Sequence, residues 1–297
     1  MREYLREGIS SAFSTRVVAL IPVAIAINIV LGASVQQALK LPIYLDSIGT
    51  ILVGVLAGPF AGIATGVLTN LIWGYLLPTP IGSTTIGPFA ITAGVIGLLA
   101  GIWGRMGLFR SRRGVPGRAY IGAVVAVVLV GVLAFYTYTR AYADPETYAN
   151  TTFFDPATFD QSRFLFIGIM AIFVGLIAWA LFLRRDVGIV YAVAAGLVTG
   201  IVAAIVSAPI SAIVFGGVTG SGGDLLVAAF RAGGATLMEA TLQQGLLADP
   251  LDKMVTSFVV FFIIVSLSRR YVARFPNGER LMPTQEAEPD STGRTAA

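Results

Sequence analysis

The chain has 297 residues, 56% of them hydrophobic and 12% charged, with a mean hydropathy of +0.82. A soluble domain carries about 25% charged residues, so this composition excludes an ordinary soluble enzyme; it also excludes disordered and coiled-coil chains, which need polar bulk. There is no Cys and no His, which removes disulfides, Cys/His metal sites and His-based catalysis, and the formal charge of +4 comes from 18 Arg and two Lys, Lys40 and Lys253.

In an apolar chain such an Arg surplus marks cytoplasmic loops rather than nucleic-acid binding. Residues 1–15 carry mixed charge. The apolar run after them lacks a clean small-x-small cleavage site, so it reads as a first transmembrane helix rather than a signal peptide. A spanning helix needs about 20 mostly apolar residues, and the candidates are 16–37, 60–77, 88–104, 119–140, 164–183, 188–214 and 254–271. The run 47–58 is shorter and marginal for a bilayer.

Charge placement decides whether that run counts. Arg105, Arg110, Arg112, Arg113 and Arg118 crowd one loop, Arg184 and Arg185 a second, and Arg269, Arg270 and Arg274 a third. The positive-inside rule makes all three cytoplasmic. The acidic segment 141–162, with Asp144, Glu146, Asp155 and Asp160, is then external. Counting 47–58, extended back to about residue 41, brings both termini inside. The expected fold is an all-α polytopic transmembrane helical bundle of about eight spans, within a range of about six to eight. Its parts are a cytoplasmic N-terminal segment 1–15, a substrate-binding bundle 16–272 and a disordered cytoplasmic tail 273–297.

Residues 215–247 differ in kind. The stretch 215–223 (FGGVTGSGG) is too glycine-rich for a helix interior. Two short helices are expected after it, 224–231 and 235–247, as an outer lid or re-entrant segment. The second would put Thr236, Glu239 and Gln243 on one face and Met238, Leu242 and Leu246 on another. A final span would then open at Asp249-Pro-Leu-Asp-Lys253, where acids suit the helix N-terminus. The sequence also echoes itself. Residues 62–67 (GIATGV) match 196–201 (GLVTGI) at an offset of 134, aligning Gly82 and Thr85 with Gly216 and Thr219.

Neither Lys40 nor Lys253 is followed by Ser or Thr, so the chain holds no P-loop and no ATPase of that type. Residues 220–224 (GSGGD) do not make an intramembrane aspartyl protease, because Ser221 stands where that motif needs Gly and no second Asp has a matching setting. Gly54, Gly58, Gly62 and Gly66 recur every four residues and read as a packing stripe, with Gly58-Pro59 ending one helix and opening the next. Polar residues inside apolar spans are the site candidates. Asn70 and Trp73 share a helix face and would form either a ligand clamp or, respectively, an interhelical hydrogen bond and an interfacial belt residue. Asp46 would bind ligand, cap a helix or pair with Lys40. Thr219 in the glycine loop, Glu239 on the lid helix and Asp252, which with Lys253 could face a cavity, complete the substrate-binding set, with no catalytic residue, metal or cofactor.

Residues 41–74 (LPIYLDSIGTILVGVLAGPFAGIATGVLTNLIWG) resemble the substrate-binding S components of energy-coupling factor (ECF) transporters. Residues 216–230 (GGVTGSGGDLLVAAF) and 246–258 (LLADPLDKMVTSF) resemble later segments of one branch of that family. The resemblance implies a plasma-membrane subunit that binds a small organic solute, a vitamin or a precursor, from outside. It implies docking on a transmembrane T component and two ATPase subunits that power import. The first span lacks the family's Ala-x-x-x-Ala docking spacing, since Ala19, Ala24 and Ala26 stand otherwise, and eight spans exceed the usual six. The absence of His argues against a nickel or cobalt site. The alternatives are a solitary secondary transporter, which needs a coupling acid deep in the membrane, and a membrane sensor or scaffold, which needs an output domain.

The topology is tested by single Cys substitutions in this Cys-free chain. A Cys at 150 is expected to react with an impermeant reagent from outside and a Cys at 112 to be protected; the reverse pattern refutes the eight-span arrangement.

Overall fold

The computed structural model describes residues 13–113, 118–142, 156–182 and 186–283. Four expectations therefore fall wholly or mostly outside the described residues: the segment 1–15 as far as residue 12, the acidic loop between 143 and 155, Arg184 with Arg185, and the tail beyond 283. Among the described residues the fold is helical throughout, with one isolated bridge, Arg113 to Asp186. The helices are α1 (Thr15–Gly32, continued by a π-helical turn Ala33–Ala38), α2 (Ile48–Ala57), α3 (Pro59–Tyr75), α4 (Ala90–Arg105), α5 (Arg118–Tyr142), α6 (Pro156–Phe182), α7 (Gly188–Phe215), α8 (Asp224–Ala232), α9 (Leu237–Ser266), α10 (Arg269–Val272) and α11 (Gly278–Leu281). Among the described residues five segments are long and apolar enough to cross a membrane: Thr15–Ala38, Gly87–Arg105, Val124–Tyr142, Ala157–Ala180 and Gly188–Phe215. Helix α3 falls just short in length at 17 residues. The chain is a polytopic transmembrane helical bundle.

Gly58 has φ +97° and Pro59 opens α3, so α2 and α3 form a tight helical hairpin at the stop-and-start signal. Gly54 and Gly62 flank that turn and face α4. A Cβ on Gly62 would lie 2.3 Å from the Gly97 carbonyl oxygen, so only glycine permits this approach. The echoed segment does the same work elsewhere: a Cβ on Gly196 would meet the Lys253 carbonyl oxygen at 2.3 Å, and one on Gly200 the Pro250 Cα at 2.3 Å. The seams α3–α4 and α7–α9 form two walls of the bundle. Helices α5 and α6 pair through Tyr142 with Phe159 and Phe166, join the bundle through the edge-to-face pair Phe173–Phe258, and turn Val125, Val132, Phe135 and Ile172 outward to lipid.

Two expectations are corrected here. The run 47–58 does not extend back to residue 41. Helix α2 has 10 residues, all buried, and rises about 15 Å, half a bilayer core. The preceding loop 39–47 is what takes up the remaining depth; Leu41 and Ile43 in it are fully buried. Irregular backbone at that depth is sustained because protein surrounds it. The stretch 235–271 is not a short helix plus a span: α9 runs unbroken through Pro250. The sequence Asp249-Pro-Leu-Asp-Lys253 mimics a helix opening, yet its acids are stabilised by interior partners rather than by a helix terminus. The true start is Thr236, whose hydroxyl and the Glu239 carboxylate complete a capping box.

Two of the Arg-rich segments, 105–113 and 269–274, lie at one end. Asp186 accepts from the Ser111 hydroxyl at 2.5 Å, from the Arg112 backbone N–H at 2.8 Å and from the Gly188 N–H at 2.9 Å. Residues 273–283, expected to open a disordered tail, are folded against the same end: the Asn277 backbone N–H and side-chain amide donate to the carbonyls of Leu56 and Val55, and Arg280 donates to the Arg105 carbonyl. These bonds satisfy the last carbonyls of α2, which a short helix otherwise leaves open.

Gly62→Leu and Gly196→Leu are each expected to abolish the monodisperse folded protein in size-exclusion chromatography, because a side chain enters backbone at both seams. Gly131→Leu, with nothing within 4 Å of its Cβ position, is expected to be tolerated. Equal tolerance of all three refutes the seam account.

Candidate functional site

At the end of the bundle opposite the Arg-rich segments lies a cavity of about 380 Å³, within the range of small-molecule sites. The π-turn of α1 and the loop 39–47 supply Gln36, Lys40, Tyr44, Asp46 and Ser47. Helices α3 and α4 with the loop between them supply Asn70, Ser83, Thr85, Phe89, Thr92 and Ile96. Helix α7 contributes Ser207 and Ser211, the glycine loop Thr219 and Asp224, and α9 Gln244, Asp249 and Lys253. The lining is mostly hydroxyls, amides and charges, with apolar patches at Ile86, Phe89, Ile96 and Val227.

Its floor is an ionic cluster. Lys253 is 2% exposed and Asp252 fully buried. Lys253 Nζ lies 2.5 Å from Asp252 Oδ2 and 3.5 Å from Asp46 Oδ1. The other Asp252 oxygen accepts the backbone N–H groups of Tyr44 and Leu45 at 3.0 and 2.6 Å. Those bonds hold the loop 39–47, in which Lys40 and Leu45 take left-handed φ values of 51° and 54°. Such residues persist only where the surroundings over-determine them. Asp46 also accepts from Gln36 at 3.0 Å, which the π-turn aims inward. Gln244 donates to the Tyr44 hydroxyl at 2.6 Å, tying α9 to the same loop.

The rim is a second polar knot. Asp224 accepts from the Thr219 N–H and hydroxyl and from the Gly220 N–H at 3.0, 2.9 and 2.7 Å. Lys40 donates to the Gly220 carbonyl. Burial raises the Asp224 pKa, opposed by the Thr219 and Gly220 hydrogen bonds, and lowers that of Lys40, opposed by the Asp224 charge. Gly222 packs on the backbone of Lys40 and Leu41, where any Cβ would lie 2.2 Å from a carbonyl oxygen. The two loops thus form one unit over the cavity.

Of the six residues singled out in the sequence, Asp46, Asn70 and Thr219 line the cavity. Asp46 neither caps α2 nor pairs with Lys40; it faces Lys253. Asn70 makes one long bond, 3.4 Å to the Ile86 carbonyl, leaving amide capacity toward the cavity. Trp73 does not line it: the indole is fully buried, donates to the Ile81 carbonyl at 2.7 Å and packs on Gly32. Glu239 is exposed and spent in its capping box. Asp252 sits behind Lys253 as the anchor of the loop. On α9 the expected polar face is one residue out of register, with Gln244 inward and Gln243 outward. Lys253, which could face a cavity on the sequence alone, lines it, whereas sequence reasoning missed Gln36, Tyr44, Ser207 and Asp249. For Ser207 and Ser211 a signal was present, two hydroxyls four apart flanking Pro209 in an apolar span. For Gln36 there was none, because a π-turn is not written in hydrophobic periodicity.

The model of the family described as ECF transporter, substrate-specific component, matches residues 16–184, more than half of the chain. Neither a curated protein nor a solved structure matches. The matched region ends before α7, so it supplies the wall containing Asn70 and Thr92 but not the wall containing Ser207, Asp249 and Lys253.

Asp252→Ala strands Lys253 and two buried N–H groups and is expected to cost about 3–5 kcal/mol in melting experiments in detergent. Trp73→Ala is expected to cost about 3–5 kcal/mol by emptying a packed site. If either variant melts as the parent does, that residue is not the support described.

Proposed function

Because the chain belongs to the substrate-specific components of ECF transporters, we propose that its cavity captures a small organic solute, a vitamin or vitamin precursor, from the outer side of the plasma membrane. A separate T component and two ATPase subunits then drive import, in keeping with the lack of a P-loop in this chain. Both termini and the Arg-rich end face the cytoplasm in this reading, and the cavity faces out. The observation that carries it is the cavity itself, where polar groups converge from both helix pairs and two stacked loops around apolar patches such as Ile86, Phe89 and Ile96.

One structural fact favours a second reading, a solitary secondary transporter. Asp249, Asp252 and Lys253 lie in the middle of the 30-residue α9 and are buried, where a coupling acid would stand, rather than at a helix end. Reconstitution separates the two. Liposomes holding this chain alone are expected to accumulate no solute under a proton gradient, and uptake is expected to appear on adding the T component, the ATPases and ATP. Gradient-driven accumulation by the chain alone would establish the second reading and refute the first.

Within the first reading, Asn70→Ala is expected to weaken the solute by about 5- to 150-fold, from about 1–3 kcal/mol for an unsatisfied partner. Titration calorimetry with the solute that copurifies with the parent chain measures it. Unchanged affinity would show that Asn70 serves packing alone.

A further inference from the structure

The charges around the cavity do not balance. At the rim Lys40 and Asp224 offset one another, and every oxygen of Asp224 is engaged by the glycine loop. On the floor three carboxylates, Asp46, Asp249 and Asp252, surround a single ammonium, Lys253. That ammonium is already committed to Asp252 at 2.5 Å and Asp46 at 3.5 Å. Asp249 is 6% exposed, forms no ion pair among the described residues, and has one neutral partner, the Ser207 hydroxyl at 3.2 Å. Among the described residues no Arg lines the cavity. Asp249 shares only the charge of an ammonium already committed to two other carboxylates, so its ionised form is costly, and a ligand cation would offset that cost.

Two further side chains point to a missing partner. Ser47 and Thr92 are 4% and 7% exposed, belong to the cavity lining in the loop 39–47 and on α4, and have buried hydroxyl oxygens without any hydrogen-bond partner. Buried hydroxyls are ordinarily paired, and a side-chain rotation toward a ligand's polar groups would satisfy both. Phe89, held by stacking on Phe215 at 5.7 Å, adds an aromatic wall of the kind that favours a cationic nitrogen. A bare metal ion does not fit this arrangement. The cavity is far larger than an ion, and no three potential metal ligands gather among the described residues.

We propose that the solute captured by this site is a small organic cation, whose protonated amine or quaternary ammonium nitrogen sits against Asp249 while its polar groups meet Ser47 and Thr92. The proposal rests on the capture role inferred above and adds the charge of what is captured. It assigns Asp249, a residue in the part of the chain outside the family match, as the selector.

The test is thermal melting of the full chain in detergent against matched probes: phenethylamine with 2-phenylethanol and phenylacetate, choline with 3,3-dimethylbutan-1-ol, and magnesium and nickel chloride. The cation of at least one pair is expected to stabilise the protein at a concentration roughly ten- to hundredfold below its neutral or anionic counterpart. Asp249→Asn retains an acceptor for Ser207 and is expected to fold and to erase that preference. A purely structural role for Asp249 would lower the melting temperature and leave the preference intact, which overturns the assignment. Should Asp249→Asn fail to fold, Asp46→Asn reads the same preference with the Gln36 contact retained. Stabilisation by the neutral or anionic members, or by the metal salts alone, overturns the proposal while leaving capture itself standing. No shift with any probe also overturns it, and the reconstitution experiment above then judges capture separately.

Discussion

The Asp252 carboxylate is the interaction on which the site depends. One oxygen meets Lys253 and the other takes the N–H groups of Tyr44 and Leu45, two donors in a loop that has left the helix at membrane depth. Without them the backbone of 39–47 would be irregular and unsatisfied among apolar helices, which a membrane interior does not tolerate. The ion pair with Lys253 is not itself a strong argument for stability, since desolvation offsets most of the attraction. Its consequence is positional. It fixes the loop on α9, sets Asp46 beside Lys253 and shortens α2, so that space remains above the floor for a ligand.

The walls are rigid for a different reason. Glycines on α3 and α7 bring backbones into contact along α4 and α9, and such seams do not depend on hydrophobic driving force, which helices surrounded by lipid lack. The echo at an offset of 134 places these glycines in corresponding registers, Gly62 with Gly196 and Gly66 with Gly200. The cavity lies between the two walls. One wall falls within the family match and the other does not.

Much of this was legible in the sequence because membrane helices advertise themselves by composition. The hairpin at Gly58-Pro59, the packing role of Gly62, the polar mouth at Asp46 and the glycine loop with Thr219 all follow from residue type and spacing. The errors share a cause. Asp249-Pro-Leu-Asp-Lys253 was read as a helix opening because Pro and acids favour that position locally, whereas tertiary partners, Ser207 and the Tyr44–Leu45 backbone, override the local preference. Trp73 was placed in a site because an indole beside an amide suits ligands, yet the side chain turns to the Ile81 carbonyl and into the core. Glu239 is accounted for by its own cap. The depth of the loop 39–47 depends on long-range contacts with α9, some 200 residues away, and no local pattern encodes it.

The central claim, a solute-holding cavity between the two walls, is tested most directly by native mass spectrometry of the chain isolated from cells grown in rich medium, compared with Ser207→Trp, which fills the cavity from α7. The account predicts a bound small molecule released from the parent chain and absent from a folded Ser207→Trp. A solute retained equally by both, or by neither, would contradict it.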